Sequence, residues 1–122
     1  MEKIGKGTYG DVFLAQDRKT RFLCVIKALS KKKIKEMQLE EHVFREIKIQ
    51  FYLKHRHLTS LFGVFDDKNK IYLIMEYLPD GNMASNGKKK IKENEAAYLL
   101  QQVCEGLLHM HREDIIHRDI KP

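Results

Sequence analysis

The feature that most restricts the fold is Gly5-Lys6-Gly7-Thr8-Tyr9-Gly10, because the residues after it, Asp11-Val12-Phe13-Leu14-Ala15, read as a strand that runs into a turn. A glycine run that joins two strands demands an antiparallel ladder. The segments Ile4 to Leu14 and Arg21 to Leu29 are short and rich in β-branched or bulky residues, with Asp17-Arg18-Lys19-Thr20 as a turn between them, so a hairpin is expected. Glu36 to His55 then switches to helical spacing, with Leu39, Val43, Ile47 and Phe51 forming one apolar stripe. Leu58 to Phe65 and Lys70 to Tyr77, around Asp66-Asp67-Lys68-Asn69, predict a second hairpin. Five short strands with one inserted helix make an α+β lobe.

Pro79-Asp80-Gly81-Asn82 interrupts this pattern, and Asn86-Gly87 with three lysines extends the polar stretch, so a boundary is expected near Met75 to Gly81. The expected organisation is 1–75 as a small lobe, 76–81 as a hinge and 82–122 as an incomplete second lobe. A second helix is predicted from Glu95 to His111, with Ala96, Leu100, Val103, Cys104, Leu107, Leu108 and His111 along one packing face. Gly106 inside it weakens the helix and permits a close backbone approach. Left without a partner, the apolar face of this helix predicts poor solubility.

With 43% apolar and 33% charged residues the chain has the composition of a soluble globular protein. It contains no 18-residue apolar run and no signal-peptide pattern, which points to an intracellular setting and to no membrane partner. Cys24 and Cys104 fit neither a redox pair nor a zinc set and read as buried structural thiols. The net charge of +6 owes much to Lys31, Lys32, Lys33 and Lys35 and to Lys88, Lys89, Lys90 and Lys92. Neither cluster carries aromatics that would stack on bases, so a solvated face or loop is expected rather than a nucleic-acid site.

A G-x-G-x-x-G also fits a dinucleotide-binding fold, but there a helix begins inside the glycines. Here a strand follows, which leaves a phosphate-covering flap or a ligand-free glycine hairpin. Lys27 lies inside a strand and shares a face, at period two, with Leu23, Val25 and Leu29. Glu46 falls on or beside the helical stripe, where an unpaired carboxylate is costly. Two opposite charges on inward faces suggest an ion pair, functional or merely structural, unless Glu46 stands in water at the stripe's edge.

Together with His117-Arg118-Asp119-Ile120-Lys121-Pro122 after the second helix, these residues resemble the protein kinase signature set in its usual order. The resemblance implies ATP and Mg²⁺ as cofactors and a protein as substrate. Gly5, Lys6, Gly7, Thr8, Tyr9 and Gly10 would form the flap over the phosphates, with Tyr9 near its tip. Lys27, oriented by Glu46, would meet the α- and β-phosphates, Asp119 would accept or orient the substrate hydroxyl, and Lys121, of the serine/threonine type, would contact the transferred phosphate. His117 and Arg118 would pack and position that loop. Val12 and Val25 would roof the adenine, Met75 would be the gatekeeper, and Glu76 and Leu78 would offer backbone groups to the adenine edge.

Arg45-Glu46-Ile47-Lys48-Ile49-Gln50, Leu61-Phe62-Gly63-Val64-Phe65 and Tyr72-Leu73-Ile74-Met75-Glu76-Tyr77 look most like the Aurora group of serine/threonine kinases. Gln50 occupies a spine position that this group fills with glutamine, alongside Leu61 and His117. The Aurora resemblance implies an activating protein partner and a cytoplasmic or nuclear setting, at the spindle or centrosome. Three departures stand out: Val25 in place of the alanine of V-A-I-K, which narrows the adenine slot; Arg56 in place of a common proline; and a short, polar Asn82 to Lys90 where a helix is expected. The chain holds about half of a two-lobed kinase body and reads as a fragment, with its opening strand clipped. The loop asparagine would fall at position 124, and the D-F-G magnesium ligand further on, so no metal ligand is expected up to Pro122 and no phosphate transfer by these residues alone. A non-catalytic, kinase-like binding protein is the competing reading.

Overall fold

In the computed structural model, which describes residues 1–81 and 91–121, the chain packs as two compact units, Met1–Lys54 with Thr59–Tyr77, and His55–Leu58 with Leu78–Pro122. The expected polar stretch Asn82 to Lys90, with Lys88, Lys89 and Lys90, lies outside the described residues.

The first unit is a five-stranded antiparallel sheet in the order β1-β2-β3-β5-β4. Its strands are β1 (Glu2–Lys6), β2 (Gly10–Gln16), β3 (Leu23–Ser30), β4 (Leu61–Asp66) and β5 (Lys70–Glu76). Two turns are fixed by aspartates that take the place of a ladder partner for the backbone. The Asp17 carboxylate accepts from the Lys19 and Thr20 N–H groups at 3.1 and 2.7 Å and from the Thr20 hydroxyl at 2.8 Å. Asp67 accepts from the Asn69 and Lys70 N–H groups, both at 2.7 Å, and from the Tyr72 hydroxyl at 2.8 Å.

The helix expected from Glu36 to His55 is shorter than expected, and another helix precedes it. A short helix α1 (Lys31–Glu36) comes first, its N-terminus capped by the Ser30 hydroxyl, which accepts from the Lys33 N–H at 3.3 Å. The lysine cluster expected as a solvated face or loop is a solvated helix face, with Lys32, Lys33 and Lys35 exposed, while Lys31 reaches back to Asp66 and to the Asp67 carbonyl. Gln38 then adopts a left-handed conformation, φ 54°, which stops α1 and redirects the chain into α2 (Glu40–Tyr52). No side chain caps α2, but Glu40 and Glu41 place negative charge at its positive end.

The core of this unit is Leu29, Ile34, Val43, Leu61 and Leu73, with Leu39, Ile47, Ile71 and Met75 packed partly against it. The stripe of α2 thus holds through Leu39, Val43 and Ile47 but not at Phe51, which is 44% exposed at the last turn.

In the second unit, α3 (Glu93–Arg112) buries Gly106 and Met110. The face expected from the sequence is not the buried one: Leu100, Val103, Cys104, Leu108 and His111 are exposed. That is the face the sequence leaves without a partner, so periodicity alone does not say which side of α3 is buried. Gly106 does, because a Cβ there would lie 3.2 Å from both the His57 carbonyl oxygen and Leu58 Cδ2. The close approach expected of Gly106 is thereby realised against the His55–Leu58 segment. Neither thiol is a buried one, since Cys24 is half-buried and Cys104 exposed, and no described helix is long and apolar enough to cross a membrane.

Candidate active site

The glycine turn closes on itself, with the Gly7 N–H donating to the Gly10 carbonyl at 2.7 Å. Its third glycine has a packing duty: a Cβ on Gly10 would fall 1.7 Å from the Ala28 carbonyl oxygen, so only glycine lets β2 lie this close to β3. Gly7 is the glycine that faces the lysine, its missing Cβ lying 4.0 Å from Lys27 Cε. An ion pair from Lys3 to Asp11 at 2.7 Å ties β1 to β2 beside the turn, and that hydrogen bond holds the Asp11 carboxyl below the ordinary range.

Lys27, central in β3, stands opposite Val12 on one side and Leu73 on the other. It lines a cleft with Glu46, Gln50, Tyr9 and the core residues Leu29, Val43, Ile47 and Leu73. The sequence reading joined Lys27 to Glu46, and the fold does bring both to one cleft. Among the described residues, however, no ion pair links them; Glu46 is exposed and Lys27 only half-buried. Both charges keep water, so neither is forced to find the other.

Tyr9, expected near the flap tip, does stand between Gly7 and Gly10 in the turn, with its side chain packed against the core cluster and its carbonyl accepting the Ser30 N–H at 2.9 Å. An aromatic ring with apolar neighbours within reach gains more by covering them than by standing in solvent. Lys6 and Thr8 are exposed, and Gly5 pairs with Val12 across the first ladder.

Val25 pairs with Met75 across β3 and β5, and Met75 packs on the core. The Glu76 N–H donates to the Ser60 carbonyl at 3.0 Å, while the Ser60 N–H donates to the Glu76 carboxylate at 3.0 Å. Of the backbone groups expected at an adenine edge, the Glu76 N–H is thus already engaged. In the second unit Leu78 is exposed and its carbonyl accepts the Gly81 N–H at 3.3 Å.

The loop after α3 starts where Asp114, at φ 57°, ends the helix and the Ile115 N–H returns to the Met110 carbonyl at 2.9 Å. Arg118 is also left-handed, φ 64°, a conformation that strains a residue with a Cβ and recurs at functional loops. His117 Nδ1 accepts the Asp119 N–H at 3.2 Å, so this ring shapes the loop locally; it is exposed rather than packed. Lys121 Nζ lies 2.9 Å from Asp119 Oδ2, and its hydrogen bond holds the Asp119 carboxyl below the ordinary range. With both side chains 72% exposed the pair is weak, which leaves an ionised, accessible acceptor. Among the described residues no group of three or more His, Cys, Asp or Glu side chains gathers as a metal ligand set.

One cluster escaped the sequence reading. Glu105 of α3 accepts from Arg56 at 2.9 Å and from Gln101 at 3.0 Å, and lies 3.2 Å from His57 Nε2. The Gln101 and Glu105 spacing of one helical turn was its only legible signal.

A protein kinase domain model matches residues 1–122. The chain is 40% identical over 121 residues to an Aurora kinase of Yarrowia lipolytica, covering 98% of this chain and 33% of that protein. Aurora kinase B of Mus musculus is 38% identical over 121 residues, with 98% and 35% covered, and Aurora kinase A-A of Xenopus laevis is 36% identical, with 98% and 30% covered. The chain spans about a third of the length of these curated relatives.

Proposed function

We propose, since this chain belongs to the protein kinase family, that it supplies the small lobe and the beginning of the catalytic loop of an Aurora-type serine/threonine kinase. That enzyme transfers the γ-phosphate of ATP to a serine or threonine hydroxyl of a protein. The observation that carries the reading is the cleft of the first unit, where Lys27 and Glu46 come together next to the glycine turn.

Phosphoryl transfer asks a protein for positioning and charge stabilisation rather than covalent chemistry. In this reading the backbone of Gly5 to Gly10 covers the phosphates. Lys27 neutralises the α- and β-phosphates, and Glu46 orients it once the two pair. Val12, Val25 and Met75 enclose the adenine, the Glu76 carbonyl and the Leu78 N–H meet its edge, and Asp119 takes or orients the substrate hydroxyl proton. Lys121 exchanges its contact with Asp119 for the transferred phosphate. Mg²⁺ bound with ATP would supply charge neutralisation at the phosphates, and among the described residues no group of side chains gathers to hold it. An activating protein partner, and a place in the cytoplasm or nucleus at the spindle or centrosome, follow from the Aurora likeness.

Titration with a fluorescent ATP analogue tests this. Removing the charged hydrogen bonds of Lys27 by Lys27→Ala should cost about 1.5–3 kcal/mol, roughly ten- to a hundredfold in affinity. Equal binding by both forms, or none by either, would turn attention to a non-catalytic binding role.

A further inference from the structure

We propose that His55, His57 and His109, gathered around Glu105, form a pH-sensitive latch that fastens the His55–Leu58 segment to α3 near neutral pH and loosens on acidification.

The latch is geometric before it is electrostatic. The His55 ring stacks on His109 of α3, centroids 5.0 Å apart at 18°, and meets His57 edge-on at 5.5 Å. The His57 N–H donates to His55 Nδ1 at 3.2 Å, and the Leu58 N–H closes the same turn onto the His55 carbonyl at 3.0 Å. An Nδ1 that accepts a hydrogen bond is unprotonated. Adding a proton there would set two donors face to face and open the turn that presents the His57 carbonyl and Leu58 to Gly106. The same proton would put a positive charge against a second imidazole.

The groups facing His55 are Arg56 and His57 on its own segment and Glu105 and His109 on α3. Burial of the half-exposed ring, then His109, His57 and Arg56, disfavour the charged form, and only Glu105 favours it. Glu105 is already engaged by Arg56 and Gln101, so it offers little compensation. The sign follows: His55 binds a proton less readily when latched than when released. Stability of the latch is complete above the ordinary histidine value of 6.5 and is lost as pH falls below it. The device is independent of nucleotide chemistry.

The test is amide hydrogen exchange on the whole chain between pH 7.5 and 5.5, corrected for intrinsic exchange, with histidine ring resonances followed in parallel. Protection of the His57 and Leu58 amides should fall several-fold, bounded at about tenfold per pH unit for one proton, while β3 and β5 amides keep theirs. His55→Asn, whose side-chain oxygen can accept the same N–H but cannot be protonated, should keep protection and lose its pH dependence. His55→Ala should lose protection at every pH; if it does not fold, the asparagine variant and the wild-type ring titration still decide. A flat profile, a parallel loss in β3 and β5, or an asparagine variant that follows the wild type would overturn the proposal.

Discussion

Replacing Gly10 by alanine should damage the first unit far more than the same change at Gly63. A Cβ on Gly10 lands 1.7 Å from the Ala28 carbonyl oxygen and 2.8 Å from its carbon, both backbone atoms that no rotamer change can move. Contacts below about 3 Å are strongly repulsive, so β2 must retreat from β3 by roughly 1.3 Å or more at this end. That carries N···O separations from about 2.9 Å past hydrogen-bond reach. Two lost ladder bonds at about 1 kcal/mol each, with about 1–3 kcal/mol of residual overpacking, give roughly 3–5 kcal/mol. At Gly63 the added Cβ meets only Ile74 Cδ1 at 3.8 Å, an ordinary contact, and a strand interior gains about 0.5–1 kcal/mol from losing a glycine. Urea unfolding followed by circular dichroism measures both variants directly. A Gly10→Ala midpoint indistinguishable from that of Gly63→Ala would contradict the close approach on which the glycine turn is built.

At Gly106 two effects oppose each other. Alanine gains about 1 kcal/mol of helix propensity while its Cβ presses the His57 carbonyl at 3.2 Å, so Gly106→Ala should stay within about 1 kcal/mol of wild type in urea unfolding, whereas Gly106→Val should lose well over 2 kcal/mol. Asp17 and Asp67 are held below the ordinary carboxylate range, chiefly by backbone N–H groups of Thr20 and Asn69 respectively. The unfolded chain therefore binds more protons in acid, and their contribution, present above about pH 4, fades as pH falls through their folded values. Asp17→Asn with Asp67→Asn, which keeps an accepting oxygen in each turn, should flatten the urea midpoint between pH 5 and 3; an unchanged acid dependence would assign it to other carboxylates.

The strands were readable because their alternation and their aspartate turns are local signals. Lys27 and Glu46 could be assigned to one cleft for the same reason, strand and stripe periods being enough to fix which way each faces. Whether they touch was not readable, since that depends on a fraction of a helical turn and on how much water each retains. The break at Gln38 carries neither glycine nor proline, so nothing in the sequence divides α1 from α2. The inward turn of the Tyr9 ring was not readable, because an aromatic residue in a glycine turn has two homes, solvent and core. On α3 the apolar face stands exposed, and the residue that decides the buried side, Gly106, acts through what it lacks.

The two units are not separable by any single cut. His55–Leu58 is embedded in the sequence between Lys54 and Thr59 yet belongs with α3. A polypeptide stopped after Tyr77 would keep those four residues and discard their seat, leaving the His55 ring without its stacking partner and Leu58 without Gly106. One begun at Leu78 would keep the seat and lose its occupant. Dividing this chain cleanly takes a loop replacement as well as a cut, and complementation between two separately made halves should depend on the four residues that the first half carries and the second half seats.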